Sequence, residues 1–115
     1  MLRNKEKKKK VTVIFENEFL KDAYLKLPGD DYLKKRIDFI VEKIKWNPNS
    51  GQAISKRLIP RQYREKGFNN AFWVELSKQG WRLIYSLDSL NENEVIATIL
   101  EWFTNHKDYE KRFKY

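Results

Sequence analysis

The chain contains no cysteine and a single histidine, His106. Without thiols there is no disulfide framework, no thiolate nucleophile and no cysteine-ligated metal. One histidine alone leaves no conventional ligand set for structural zinc. No apolar run approaches the length of a membrane span, and the first ten residues lack the apolar segment of a secretory signal. The expectation is a cytoplasmic protein with no membrane contact.

What is present is one domain's worth of core. The 115 residues are 41% hydrophobic and 15% aromatic, which suits a single core despite 35% charged residues. The net charge of +8 is concentrated in two places. Residues 1–10 hold six basic side chains against Glu6 and read as a flexible basic arm. Residues 56–66 hold Lys56, Arg57, Arg61, Arg64 and Lys66 against Glu65. A basic cluster inside a domain suggests a polyanionic partner, nucleic acid first and an acidic protein second. A solvated lysine-rich surface is the simpler reading of the arm.

Residues 11–15 are β-branched and aromatic, the pattern of a first strand. Asn17 then caps a helix with its apolar stripe on Leu20, Ala23, Tyr24 and Leu27, which Pro28-Gly29 stops. Asp30 or Asp31 opens a second helix with Leu33, Ile37, Ile40, Val41 and Ile44 on one face. Residues 48–70 read as an irregular polar segment. Three strands follow, at 71–76, 81–87 and 95–103, with a turn at 78–80 and a polar loop at 88–93. Asn105 caps a short closing helix. The expected fold is α+β in two layers: an N-terminal strand, a helical hairpin, a three-stranded antiparallel sheet and a C-terminal helix, in the order β-α-α-β-β-β-α. Residues 11–115 form the single domain.

The strand 81–87 carries one cation, Arg82, in an otherwise core-seeking run. An arginine there is either paired inside the fold or aimed into a cleft. Glu75, across the turn at 78–80, is the candidate partner for an ion pair. Trp73 and Glu75 share a face in one strand, and Arg82, Ile84 and Ser86 share a face in the next. His106 and Tyr109 point the same way from a helical turn. Trp46, Trp81 and Trp102 are expected in the core.

The Lys56-Arg57-Leu58 segment, the Gly80-Trp81-Arg82-Leu83-Ile84-Tyr85 strand and the closing Asn105-His106-Lys107-Asp108-Tyr109, in this element order, resemble the RelE/ParE superfamily of toxin–antitoxin toxins. The His-x-x-Tyr segment resembles the HigB-type branch. The resemblance covers residues 11–113. It implies an mRNA interferase: an endoribonuclease that cuts mRNA, usually on the ribosome, by attack of the 2′-hydroxyl on the adjacent phosphate without metal or other cofactor. A cognate antitoxin is the implied partner. The resemblance makes Arg82 the phosphate-stabilising arginine, Tyr109 the C-terminal tyrosine and His106 a proton-transfer group, for which an imidazole suits by titrating near neutrality. RelE-type members carry lysines nine and seven residues before the arginine; here Trp73 and Glu75 stand there. Glu75 is then the candidate general base and Trp73 a platform for an RNA base. Lys56, Arg57, Arg61, Arg64 and Lys107 are the candidate phosphate contacts. Two alternatives remain open at this point: a ParE-like toxin that inhibits DNA gyrase, and a non-catalytic relative that only binds RNA or an antitoxin.

Overall fold

The caps are the most local signals, and they hold. In the computed structural model, which describes residues 9–113, Asn17 Oδ1 accepts from the Leu20 amide at 2.8 Å and opens α1 (Glu18–Leu25). Asp31 Oδ1 accepts from Leu33 N at 2.8 Å and opens α2 (Tyr32–Trp46). Asn105 Oδ1 accepts from Asp108 N at 2.7 Å and opens α4 (His106–Phe113). Each bond satisfies an amide that the first helical turn leaves without an internal acceptor. Tyr24 ties α1 to α2: its hydroxyl donates to Asp38 and accepts from Lys34 Nζ at 2.8 Å.

The sheet is larger than expected. Strands β1 (Lys10–Phe15), β2 (Gln52–Ala53), β3 (Phe72–Ser77), β4 (Trp81–Asn91) and β5 (Glu94–Phe103) form one five-stranded sheet in the order β1-β5-β4-β3-β2. The three-stranded expectation is therefore corrected. β1 runs parallel to β5, with Val11 opposite Val95, and the remaining neighbours are antiparallel. Most of the expected loop at 88–93 is strand, since β4 runs on to Asn91 and only a tight turn leads into β5. The segment 48–70 is also more ordered than its composition suggests. It contains β2, a 3-10 turn at Lys56–Leu58 and the short helix α3 (Arg61–Glu65). Of the expected basic arm, residues 1–8 lie outside the described residues, and Lys10 already belongs to β1.

Helices cover both faces of the sheet, so the two-layer expectation is corrected as well. Ile37, Ile40 and Ile44 of α2 pack with Leu83, Tyr85, Ala97 and Ile99 on one face. Ile84, between Leu83 and Tyr85, packs on the other with Tyr63 of α3 and Tyr109 and Phe113 of α4. Full burial of an aliphatic or aromatic side chain of this size contributes about 1.5–3 kcal/mol. A β-bulge leaves Leu100 without a partner in β4: Tyr85 stands opposite Ile99, and Ile84 opposite Glu101. The shift in phase puts Leu100 and Glu101 both toward α3 and α4. Trp81 and Trp102 are half-buried against the α2-side core. Trp46, expected in the core, is 73% exposed, because α2 buries the face of Ile37, Ile40 and Ile44 instead.

Candidate functional site

Arg82 stands opposite Glu75 on β3 and Phe103 on β5. Its guanidinium carbon lies 4.1 Å from the centroid of the Trp73 ring and 4.6 Å from that of Tyr109. The cation is therefore clamped between an aromatic ring of β3 and one of α4. Among the described residues its side chain makes no hydrogen bond and no ion pair within 4.0 Å. The candidate Arg82–Glu75 ion pair is thus not formed, although the two residues are in register. The chemistry of the clamp matters here. A carboxylate would neutralise the guanidinium, whereas a ring quadrupole attracts it and leaves its full charge and its N–H donors available.

A cleft of about 320 Å³ opens at this point, lined by Arg82, Trp73, Glu75, Gly80, Ser50 and Gln52. Glu75 is exposed in it. Gly80 has φ of +90°, the left-handed conformation that a glycine adopts without strain and that closes the 78–80 turn. A β-carbon placed there would lie 3.9 Å from His106 Cβ, so the first residue of α4 borders the turn at the cleft. The His106 ring stacks on Tyr109 with centroids 5.7 Å apart at 26°. His106 Nε2 also lies 3.2 Å from Glu110 Oε2. A continuous row of contacts runs from Trp73 through Arg82 and Tyr109 to His106.

Tyr109 is only 1% exposed, with Phe103 edge-on at 5.7 Å and Phe113 stacked at 4.7 Å. Its placement makes it a platform for Arg82 and His106. α4 itself is pinned to the sheet at its far end. Arg112 Nε and Nη2 donate to the two carboxylate oxygens of Glu101 at 2.8 and 2.7 Å, and the Tyr63 hydroxyl donates to Glu101 Oε1 at 2.6 Å. The fork geometry is the strong form of an arginine–carboxylate pair. The Glu101 hydrogen bond raises the Arg112 pKa further, and burial, reinforced by the Glu101 charge, pushes the Tyr63 phenol far above its ordinary range. Both groups therefore hold their protons at Glu101.

Of the residues singled out from sequence, Arg82, Glu75 and Trp73 line one cleft, and Tyr109 and His106 adjoin it through the ring contacts. Lys56, Arg57, Arg61, Arg64 and Lys107 are exposed, and none lines that cleft. Ile59 and Tyr63 tuck the 56–66 segment onto the Ile84 face, while its cations stay outside; Arg61 pairs with Glu65 at 3.1 Å and Lys66 with Glu16 at 3.1 Å.

Ser50 and Gln52 were not legible as cleft residues. They arrive there through Tyr85, whose hydroxyl donates to the Pro48 carbonyl at 2.6 Å and accepts from Gly51 N at 2.9 Å. A tyrosine in an apolar strand needs such a partner, and that need was the one available signal. Asn70 plays a similar part beyond β3. Its amide oxygen accepts from Leu87 N at 2.8 Å and its nitrogen donates to Leu87 O at 2.9 Å, as a neighbouring strand would.

Among the described residues no three His, Asp or Glu side chains are grouped to hold a metal ion, and no helix is long and apolar enough to cross a membrane. No protein-family model matches the chain, and no curated protein or solved structure shows significant similarity to it.

Proposed function

We propose that this chain is the toxin of a toxin–antitoxin pair and acts as a metal-independent endoribonuclease on mRNA, in the manner of RelE-like enzymes at the ribosome. The observation that carries the reading is the uncompensated guanidinium of Arg82, clamped by Trp73 and Tyr109 at a cleft that also holds Glu75. The order of elements supports it: an N-terminal strand, two helices, three antiparallel strands and a closing helix, with β2 and α3 added between.

In the proposed reaction Glu75 takes the proton of the RNA 2′-hydroxyl. The 2′-oxygen attacks the adjacent phosphorus while the bond to the 5′-oxygen breaks. Arg82 holds the negative charge that builds on the non-bridging oxygens, a contribution that grows toward the transition state. His106 gives a proton to the departing 5′-oxygen. The products are a 2′,3′-cyclic phosphate and a 5′-hydroxyl end. Trp73 and Tyr109 position the guanidinium, and Tyr109 positions the imidazole. The cognate antitoxin would present an acidic, amphipathic segment to this basic protein.

Induction of the chain in cells, with primer-extension mapping of mRNA ends, tests the reading. New mRNA ends and arrested growth are expected from the wild type and are expected to be absent for Arg82→Ala. Intact mRNA in cells arrested by the wild-type chain would contradict it.

A further inference from the structure

The Arg82 cleft does not end at Glu75. That carboxylate also lines a second pocket of about 350 Å³, bounded by Tyr32, Arg36, Ser77, Lys78 and Gln79. The two pockets share the β3–β4 turn as a rim: Gly80 lies on the Arg82 side, Lys78 and Gln79 on the other. Together they hold three cations, Arg36, Lys78 and Arg82, against one carboxylate.

The second pocket has the parts of a nucleotide subsite. Tyr32 is 54% exposed, and its ring is braced edge-on against Trp81 at 5.7 Å, so one aromatic surface is both fixed and open. Arg36 is fixed too, since its Nε donates to the Leu76 carbonyl, which leaves its terminal nitrogens for another acceptor. Among the described residues Lys78 makes no ion pair. A fixed ring beside cations is the combination that binds single strands, by stacking on a base and neutralising its phosphate.

We infer that the two pockets form one groove for single-stranded RNA. One phosphate sits at Arg82, and the adjoining nucleotide sits in the second pocket, with its base on Tyr32 and its phosphate at Lys78 and Arg36. The inference rests on the RNA-directed reading above and adds to it a strand path and a requirement for unpaired bases. A duplex keeps its bases stacked on one another and offers none to Tyr32.

The test is equilibrium binding of a short fluorescent single-stranded RNA, methylated at every 2′-oxygen so that it cannot be cut, to the full chain. Tyr32→Ala is expected to weaken binding about tenfold, and Tyr32→Phe to retain it. Lys78→Gln is expected to lower the dependence of log affinity on log salt by about 0.7, the share of one phosphate contact on a single strand. Wild-type binding by Tyr32→Ala and Lys78→Gln overturns the groove, as does equal affinity for duplex RNA. Equal displacement of the RNA by polyglutamate from wild type and Tyr32→Ala overturns it in favour of an acidic-protein surface. An unmethylated strand separates the two readings. Tyr32-dependent binding without cleavage supports the groove and removes the nuclease, whereas cleavage indifferent to Tyr32 and Lys78 does the reverse.

Discussion

Trp73 on β3 holds the guanidinium of Arg82 on β4 at 4.1 Å from its ring centroid, a diagonal contact across the strand pair. The contact explains how a cation sits in a buried-facing strand with no carboxylate against it. An indole at this position attracts the guanidinium, where a second cation would repel it. The clamp therefore makes Trp73 a positioning residue on the proposed chemistry. Trp73→Ala is expected to slow RNA cleavage at least tenfold in single-turnover assays, while Trp73→Phe, which keeps a ring, retains most of the rate. Equal rates for wild type and Trp73→Ala would remove the clamp from the account.

Glu101 is the anchor of α4 and hence of Tyr109. Glu101→Ala strands the Arg112 fork and the Tyr63 hydroxyl together. The pair is partly solvent-exposed, so the cost is set below that of a fully buried pair, at about 1–3 kcal/mol. Urea unfolding checks it, with cleavage expected to fall in step as α4 loosens. Unchanged stability would show that the aromatic contacts of Tyr109 and Phe113 suffice.

Tyr63 gives the fold an alkaline limit. Its phenol is pushed up from 10.0 by burial and by the Glu101 charge. The folded state therefore keeps a proton that the unfolded chain releases above about pH 10, and this contribution to stability is intact below that pH and lost as pH rises. The expected difference between wild type and Tyr63→Phe is a stability slope steeper by about 1.4 kcal/mol per pH unit in the wild type above pH 10. Urea midpoints across that range measure it. Parallel slopes would contradict the assignment.

Gly51 is required by contact rather than by backbone angle. A β-carbon there would lie 2.9 Å from the Tyr85 hydroxyl oxygen and 3.0 Å from the Trp73 carbonyl oxygen. Gly51→Ala is expected to cost about 1–3 kcal/mol by crowding a packed site. Because Ser50 and Gln52 line the cleft on either side, it is also expected to weaken RNA binding. A melting temperature equal to wild type would show that the segment moves aside freely.

What the sequence made legible was what lies close along the chain. Asn17 and Asn105 were readable as caps, and the second helix start was readable as Asp30 or Asp31, because each cap accepts from an amide two or three residues away; the structure selects Asp31. The β3–β4 hairpin was readable from Gly80 and the apolar strands beside it. The β1–β5 pairing was not, since Val11 meets Val95 only through the assembled sheet, and no local signal marks a parallel neighbour. The bulge at Leu100 hid which face Glu101 takes, and with it the Tyr63–Glu101–Arg112 anchor. Arg82 and Glu75 were rightly set opposite one another, but register alone does not make an ion pair. The rings that hold Arg82 come from β3 and α4, and their convergence is a product of tertiary packing.

In the proposed reaction the charge on Arg82 acts on RNA phosphate. Its most direct test is single-turnover cleavage of RNA by Arg82→Ala, alongside a thermal melt of the same protein. A folded variant is expected whose cleavage falls by about a hundredfold or more, the usual loss when one stabilising donor is removed from a developing anion. A folded Arg82→Ala protein that cleaves RNA at the wild-type rate would contradict it.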